Sequence, residues 1–407
     1  MQTIVFLGSN KSGTSREALR ISTEMGYFTV LITDRKEFLK QKEEFPEVSQ
    51  MMYVETILDK EKIVAILKDI SQDLKPICAV ISFIDPFVSF AAMLSEEIGL
   101  TSLSTNALSI MEEKTKFRTR LKNLPTSPVY HVIQNNLTEQ EYIEQYKHQL
   151  PLILKTPVSN GSKDVLLAKT IQEFKNSLHY FEKKFPGVPV LMEEYLEGTQ
   201  YLIEVIVYKK RISIVAVIEQ EILHSERFII TGYVYPAVLK EAEYENLQTA
   251  VTSIINELGL MNGNCHLEMR NSNGQWKLIE INPRMSGGAM NRIIQEGTGI
   301  NLVKETIKLY LGEKPIVEKT EMNHVYAKFL TINTKGRLVK VTGKNRASNY
   351  EGVKEVYVKP KKGAILTKPY SLGNRYAYVI AASSTAEQAK DAALKAAREI
   401  KFYLEPL

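Results

Sequence analysis

Cysteine is scarce in this chain. Only Cys78 and Cys265 occur in 407 residues, both in apolar, strand-like runs where a small buried hydrophobe is expected rather than a disulfide or a metal ligand. A reducing compartment follows from that reading. Long apolar runs are absent too. Nothing approaches the ~18 residues of a membrane helix, and the apolar run 4–7 is too short for a signal-peptide core. A cytoplasmic protein with no membrane partner is therefore expected. No basic run is interleaved with aromatics, and a net charge of +5 is modest, so no nucleic-acid footprint is present. The pI near 8.8 instead suits small anions such as nucleotides. Two phosphate-binding motifs are also lacking. There is no G-x-G-x-x-G, and although Gly8 and Gly13 have Walker A spacing, Thr14 stands where that motif needs lysine. The loop between them reads as a tight turn feeding a helix or as a ligand contact. No internal repeat, low-complexity tract or biotinyl- or lipoyl-carrier segment is found.

What is present is ordinary globular composition, 44% hydrophobic and 24% charged, at a length that suggests two to four domains. Strand-like runs at 3–7, 28–33 and 77–83 alternate with helical patterns at 15–25, 57–74 and 86–98. This alternation predicts an α/β start with a parallel, Rossmann-like sheet. Later patterns predict a hairpin from 201–207 and 211–219, a helix over 244–258, strands at 325–332, 337–342, 352–358 and 376–382, and a final helix over 386–403. The stretch 221–236 has no clear period and reads as a pocket lining, with Glu226 and Arg227 as its charged candidates, or as a covering loop.

The chain's chemistry gathers in residues 265–292. Period-2 alternation puts His266, Glu268 and Arg270 on one strand face, and Leu278, Glu280 and Asn282 together on the next. With a five-residue turn at 271–275, Glu268 would face Leu278 and Glu280 would lie diagonally across. Two carboxylates and an amide oxygen are hard ligands suited to Mg²⁺ completed by phosphate and water. Arg284 follows at once and can grip phosphate oxygens bidentately. Ser286, Gly287 and Gly288 then allow close backbone approach before a helix starting near Ala289, and helix N-termini attract anions. The plainer alternative is an amphipathic hairpin with a solvated acidic face.

The E-x-N-P-R run, preceded by a strand glutamate, resembles the metal-binding signature of the ATP-grasp superfamily, whose ligases activate a carboxylate as an acyl phosphate. Further segments resemble the family in its usual order. Glu113-Lys114 is similar to its first phosphate lysine, with Lys116 in competing register. The strand ending at Lys155, before a loop holding Gly161 and Ser162, is similar to its second lysine and phosphate loop, though poorer in glycine. The run 193–198 resembles its hinge. The resemblance implies ATP contacts from Lys114, Lys155, Ser162, Glu193, the backbone of Glu194 and Leu196, and Gln200. Glu268, Glu280 and Asn282 would hold Mg²⁺ or Mn²⁺, and Arg284 and Lys155 would act in catalysis. Ser286, Gly287, Gly288, Glu226 and Arg292 would face substrate, Arg292 on its carboxylate side.

The implied architecture is an ATP-grasp fold with a Rossmann-like domain at 1–113, a small subdomain at 114–190, a large subdomain at 191–325 and a biotin-carboxylase-like, α+β lid at 326–407. The E-I-N-P-R-M-S-G-G version is most similar to bacterial L-amino-acid ligases, which join two amino acids with release of ADP and phosphate. Amino acids are then the expected partners, and a homodimer is compatible. Rival readings are a bicarbonate or purine-pathway enzyme of the same fold, a nucleotide-binding regulator, or a subunit of a larger synthase.

Overall fold

The computed structural model describes residues 2–73, 76–100, 103–133, 138–157, 164–224 and 228–407. Its first sheet has four parallel strands in the order Gln50–Tyr53, Phe28–Thr33, Thr3–Leu7, Ile77–Ile81. Thr3–Leu7 is buried at every residue, as a parallel strand covered on both faces must be. Helices Thr14–Glu24 and Lys60–Asp73 make crossovers and Val88–Glu97 follows the last strand of the sheet, so the Rossmann-like start holds. The strand Gln50–Tyr53 was not expected, because its QMMY sequence carries no β-branched residue.

Beyond Leu103 the chain forms two short helices, Thr105–Met111 and Lys114–Leu121. Glu113 between them is extended (φ −123°, ψ 120°), and Glu112 turns aside to accept from the backbone N–H groups of Val88 (3.0 Å) and Ser89 (3.1 Å). That capping of a neighbouring helix breaks the run and puts Lys114 at the first position of a new one.

A second sheet, antiparallel, has the order Tyr130–Ile133, Val190–Glu194, Leu152–Lys155, Val165–Ala168. The third is an eight-stranded antiparallel sheet running Gln275–Asn282, Gly263–Ser272, Thr199–Tyr208, Arg211–His224, Phe228–Tyr235, His324–Leu330, Ala377–Ser383, Val353–Val358. The stretch 221–236 is therefore mostly sheet, not a loop. A bulge between Glu221 and Ile222 shifts the alternation and hides its period. His324–Leu330 pairs with Phe228–Tyr235 on one side and Ala377–Ser383 on the other, so one sheet spans the expected boundary at 325/326. The last helix stops at Glu399, and Lys401–Glu405 becomes a strand against Gly336–Thr342. No helix among the described residues is long and apolar enough to cross a membrane.

Candidate active site

The hairpin that carries the acidic residues turns through Asn273 and Gly274, both at positive φ (52° and 82°). A two-residue Asn-Gly turn with this backbone matches the right-handed twist of its strands. The turn alone would pair Glu268 with Ile279. Instead Ser272 faces Gln275 and Met269 faces Leu278, and then a bulge inserts Ile279 so that Glu268 stands directly opposite Glu280. The expected pairing of Glu268 with Leu278 is thus corrected. Leu278 lies with Met269 in the core, and the bulge reverses the face of every residue beyond it. Its consequence is chemical. The two carboxylates, His266 and Asn282 come together, and the bulged Ile279 offers its carbonyl to Arg118 Nη2 (2.7 Å) and Lys155 Nζ (3.3 Å).

Crowding sets the charge of this pair. Burial, and then the facing Glu280, push Glu268 up to about 7. Burial also raises Glu280, but Lys114, whose Nζ lies 3.0 Å away, and Lys155 bring it below the ordinary carboxylate range. Two such carboxyls titrate as a unit. His266 donates from Nδ1 to the Arg284 carbonyl (2.8 Å), so its Nε2 must accept from the Asn282 amide at 3.2 Å. Burial and Arg284 lower its pKa to about 4, which keeps the ring neutral. The Asn282 nitrogen is thereby committed, and its oxygen is the group left to act as a ligand. Among the described residues no set of three acidic, histidine or cysteine side chains is gathered for a metal. Two carboxylates and one amide oxygen therefore fit a cation that takes its remaining oxygens from water and phosphate, which is the habit of Mg²⁺.

Beside this pair a cavity of about 90 Å³ opens between the second and third sheets. Lys114, Lys155, Glu193, Gln200, Glu268 and Arg270 supply its polar lining, and Ile153, Val165, Leu196 and Phe228 its apolar walls. Glu193 is clamped by Arg118 Nε (2.6 Å) and Lys155 Nζ (2.7 Å). Burial raises its carboxyl, yet Arg118 and Lys155 together hold it below the usual range. Burial lowers the Lys155 ammonium, with Glu193 opposing. Glu193, expected on the adenine side, is thus a fixed counter-charge that positions a lysine.

Arg118 was missed by sequence reading. Its only signal is the i,i+4 spacing from Lys114, which places both on one helix face. Lys114 is 6% exposed and lines the cavity, whereas Lys116 pairs with Glu113 on the surface (54% side-chain exposure). Gln200 accepts from Arg270 Nε (3.2 Å) and donates to Glu268 Oε2 (3.2 Å). The Leu196 carbonyl, expected to read a base edge, accepts from Arg270 instead, and Glu194 bonds Val129 through its backbone N–H and side chain. Ser162 and Glu226 lie outside the described residues.

A second cavity, about 360 Å³, shares Glu268 and Glu280 with the first and adds Asn282, Arg284, Ser286, Gly287 and Gly288. Arg284 is held by Asp85 (Nε to Oδ2, 2.8 Å). That aspartate follows the strand Ile77–Ile81, at the carboxyl end where open parallel sheets place ligands. The 286–288 loop is tied down at Ser286, whose N–H donates to Glu204 (2.9 Å). Burial lifts Glu204 to about 7 against the Ser286 contacts. Gly288 approaches Gly13 so closely that a Cβ on Gly13 would lie 3.3 Å from the Gly288 nitrogen. Arg292 does not join Arg284. It pairs with Glu296 one helical turn on (2.8 Å) and faces a third cavity of about 560 Å³. Cys265 is free and wholly buried, and burial raises its thiol further.

Residues 148–292 match the ATP-grasp domain family. Over those residues the chain carries an ATP-grasp domain. Residues 328–405 match a second family, L-amino acid ligase C-terminal domain 2. Among its sequence relatives, the chain is 25% identical over 261 residues to an uncharacterized protein of Sinorhizobium fredii (63% of this chain, 54% of the relative). It is 25% identical over 254 residues to carnosine synthase 1 of Mus musculus (58% of this chain, 31% of the relative). The chain thus spans about half of the first relative and under a third of the second. The crystal structure of an L-amino acid ligase from Bacillus licheniformis superposes over 100% of this chain and 99% of its own, with a TM-score of 0.84 at 19% identity.

Proposed function

We propose that this ATP-grasp protein is an ATP-dependent ligase that joins two L-amino acids by an amide bond. In the first half-reaction a carboxylate oxygen of one amino acid attacks the γ-phosphorus of ATP, the bond to the β-phosphate oxygen breaks, and ADP leaves. In the second, the amine nitrogen of the other amino acid attacks the acyl carbon, the bond to phosphate breaks, and the nitrogen loses a proton. A carboxylate is a poor electrophile and its acyl phosphate, a mixed anhydride, a good one, so no enzyme nucleophile is required.

The residues suit these needs. The apolar walls of the small cavity fit a base, while Lys114, Lys155 and Arg270 supply charge for phosphates. Glu268, Glu280 and Asn282 would hold a divalent cation, which supplies Lewis-acid neutralisation of phosphate charge when bound. Arg284, fixed by Asp85, faces the oxygens that gain charge at the acyl centre, and the 286–288 loop presents backbone amides beside it. The observation that carries the reading is the directly opposed Glu268–Glu280 pair lying between a two-lysine cavity and the Arg284 cavity. The matched C-terminal family and the likeness to carnosine synthase 1 and to the Bacillus licheniformis L-amino acid ligase support amino acids as the substrates. The test is ADP release across pairwise L-amino acid mixtures with ATP and Mg²⁺, with bicarbonate as control. Turnover that requires two amino acids supports the proposal, and turnover that follows bicarbonate removes it.

A further inference from the structure

A ligase of two amino acids meets two carboxylates and must phosphorylate only one. The other, on the amine-donating partner, needs a cation that neither ATP nor the metal ligands claim. Lys114, Lys155 and Arg284 are paired with Glu280, Glu193 and Asp85. Around the 560 Å³ cavity, Arg16 is paired with Glu47, Arg20 with Glu24 and Arg292 with Glu296, and Lys359 donates to the Gly373 carbonyl (2.8 Å). Of the cations around that cavity, Arg375 is the one that also lines the Arg284 cavity. Its Nε donates to the Leu372 carbonyl (3.2 Å), and its Nη1 makes long contacts to the Ile230 carbonyl (3.4 Å) and Tyr233 hydroxyl (3.5 Å). Its guanidinium carbon stacks 4.1 Å from the centre of the Phe329 ring. Among the described residues no carboxylate neutralises it.

Its place is as informative as its charge. The three cavities form a series. The Arg284 cavity shares Glu268 and Glu280 with the two-lysine cavity, and Ser12, Gly13, Gly288, Leu372 and Arg375 with the largest one. Arg375 thus lines the second and third cavities but not the first, on the side of the acyl centre away from the candidate phosphate site. A planar guanidinium held over an aromatic ring, with an edge unused, is prepared for bidentate carboxylate recognition.

Resting on the ligase reading above, we propose that Arg375 binds the α-carboxylate of the amine-donating amino acid, and that the large cavity holds that substrate's side chain. The C-terminal region would then select the second substrate and keep its carboxylate away from the γ-phosphate. A carboxylate bound elsewhere would leave the acid and amide forms of that substrate indistinguishable to any change at Arg375.

The test compares L-amino acids with their carboxamides, which keep amine and side chain but lose the negative charge. With the acyl partner saturating, the wild-type KM should be about tenfold to a hundredfold lower for the acid than for the amide. R375M should abolish that preference, and R375K should retain only part of it. Unchanged ATP affinity by calorimetry shows that each variant is folded. R375K keeps the test open if R375M does not fold. Calorimetric binding of the same acid and amide pairs beside a non-hydrolysable ATP analogue separates the two claims. An acid preference lost in R375M without any peptide product would sustain the Arg375 site and sink the ligase reading. Peptide formation with the acid preference intact in R375M would do the reverse. If wild type binds neither form, or shows no acid preference, the site is overturned.

Discussion

Removing the Glu193 carboxylate should unfold the site from beneath. Arg118 is 0% and Lys155 3% exposed, and Glu193 is the carboxylate that both grip. Breaking a buried ion pair by deleting one partner typically costs about 3–5 kcal/mol, because a desolvated charge is left behind. The two cations respond differently. Lys155, already lowered by burial, can shed its proton, whereas a guanidinium cannot. The penalty in Glu193→Ala therefore falls mainly on Arg118, which keeps only the Ile279 carbonyl, and should be about 3 kcal/mol or more. The single tryptophan is a convenient probe. Trp276 is 5% exposed in the hairpin that carries Glu280 and donates to the Glu243 carbonyl (3.0 Å), so its fluorescence in urea follows this sheet. Adding Arg118→Met should return about 2 kcal/mol or more, since an apolar side chain in that space strands no charge. Loss of under about 1 kcal/mol in E193A, or no recovery in R118M/E193A, would refute the idea that this network is a mutually compensated buried set.

Three other outcomes follow from the site. Lys114→Ala should weaken ATP binding about tenfold or more while Lys116→Ala leaves it unchanged, as calorimetry can measure, because only the former lines the cavity. Glu280→Gln should cut ADP release below about a tenth of wild type with an unchanged far-ultraviolet circular dichroism spectrum, since it removes a ligand charge and no packing. Glu204 should show itself through pH. Its folded pKa is raised from 4.5 to about 7, so the protonated form stabilises the fold below 4.5 and that contribution is lost as pH rises through 7. Glu204→Gln should therefore match wild type in urea unfolding near pH 4.5 and exceed it by up to about 3 kcal/mol at pH 8.

Much of this was legible in the residues. The strands Thr3–Leu7 and Phe28–Thr33 have the expected bounds, because fully buried parallel strands are written as unbroken apolar runs. The acidic pair, Asn282 and Arg284 are gathered at one end of the large sheet as their alternation suggested. What failed was register. A two-residue turn in place of the expected five-residue one, together with one bulged residue, turned a diagonal relation of Glu268 and Glu280 into a direct one, and single-strand alternation carries no sign of either. Arg118 and Asp85 were missed for a different reason. Each acts through a partner far away in sequence, 75 residues for Arg118 with Glu193 and 199 for Asp85 with Arg284, and no local motif announces such a pairing. Arg292 misled because a helical arginine near glycines looks free until Glu296, one turn on, is seen to claim it.

The central claim is that a carboxylate is activated by phosphoryl transfer and then captured by an amine. It can be tested by supplying the acyl amino acid labelled with ¹⁸O in its carboxylate, together with a second amino acid, ATP and Mg²⁺, and weighing the products by mass spectrometry. The account predicts a dipeptide, ADP, and one labelled oxygen in the released phosphate for each amide formed. Phosphate free of label, label carried into AMP, or ADP formation without a dipeptide would contradict it.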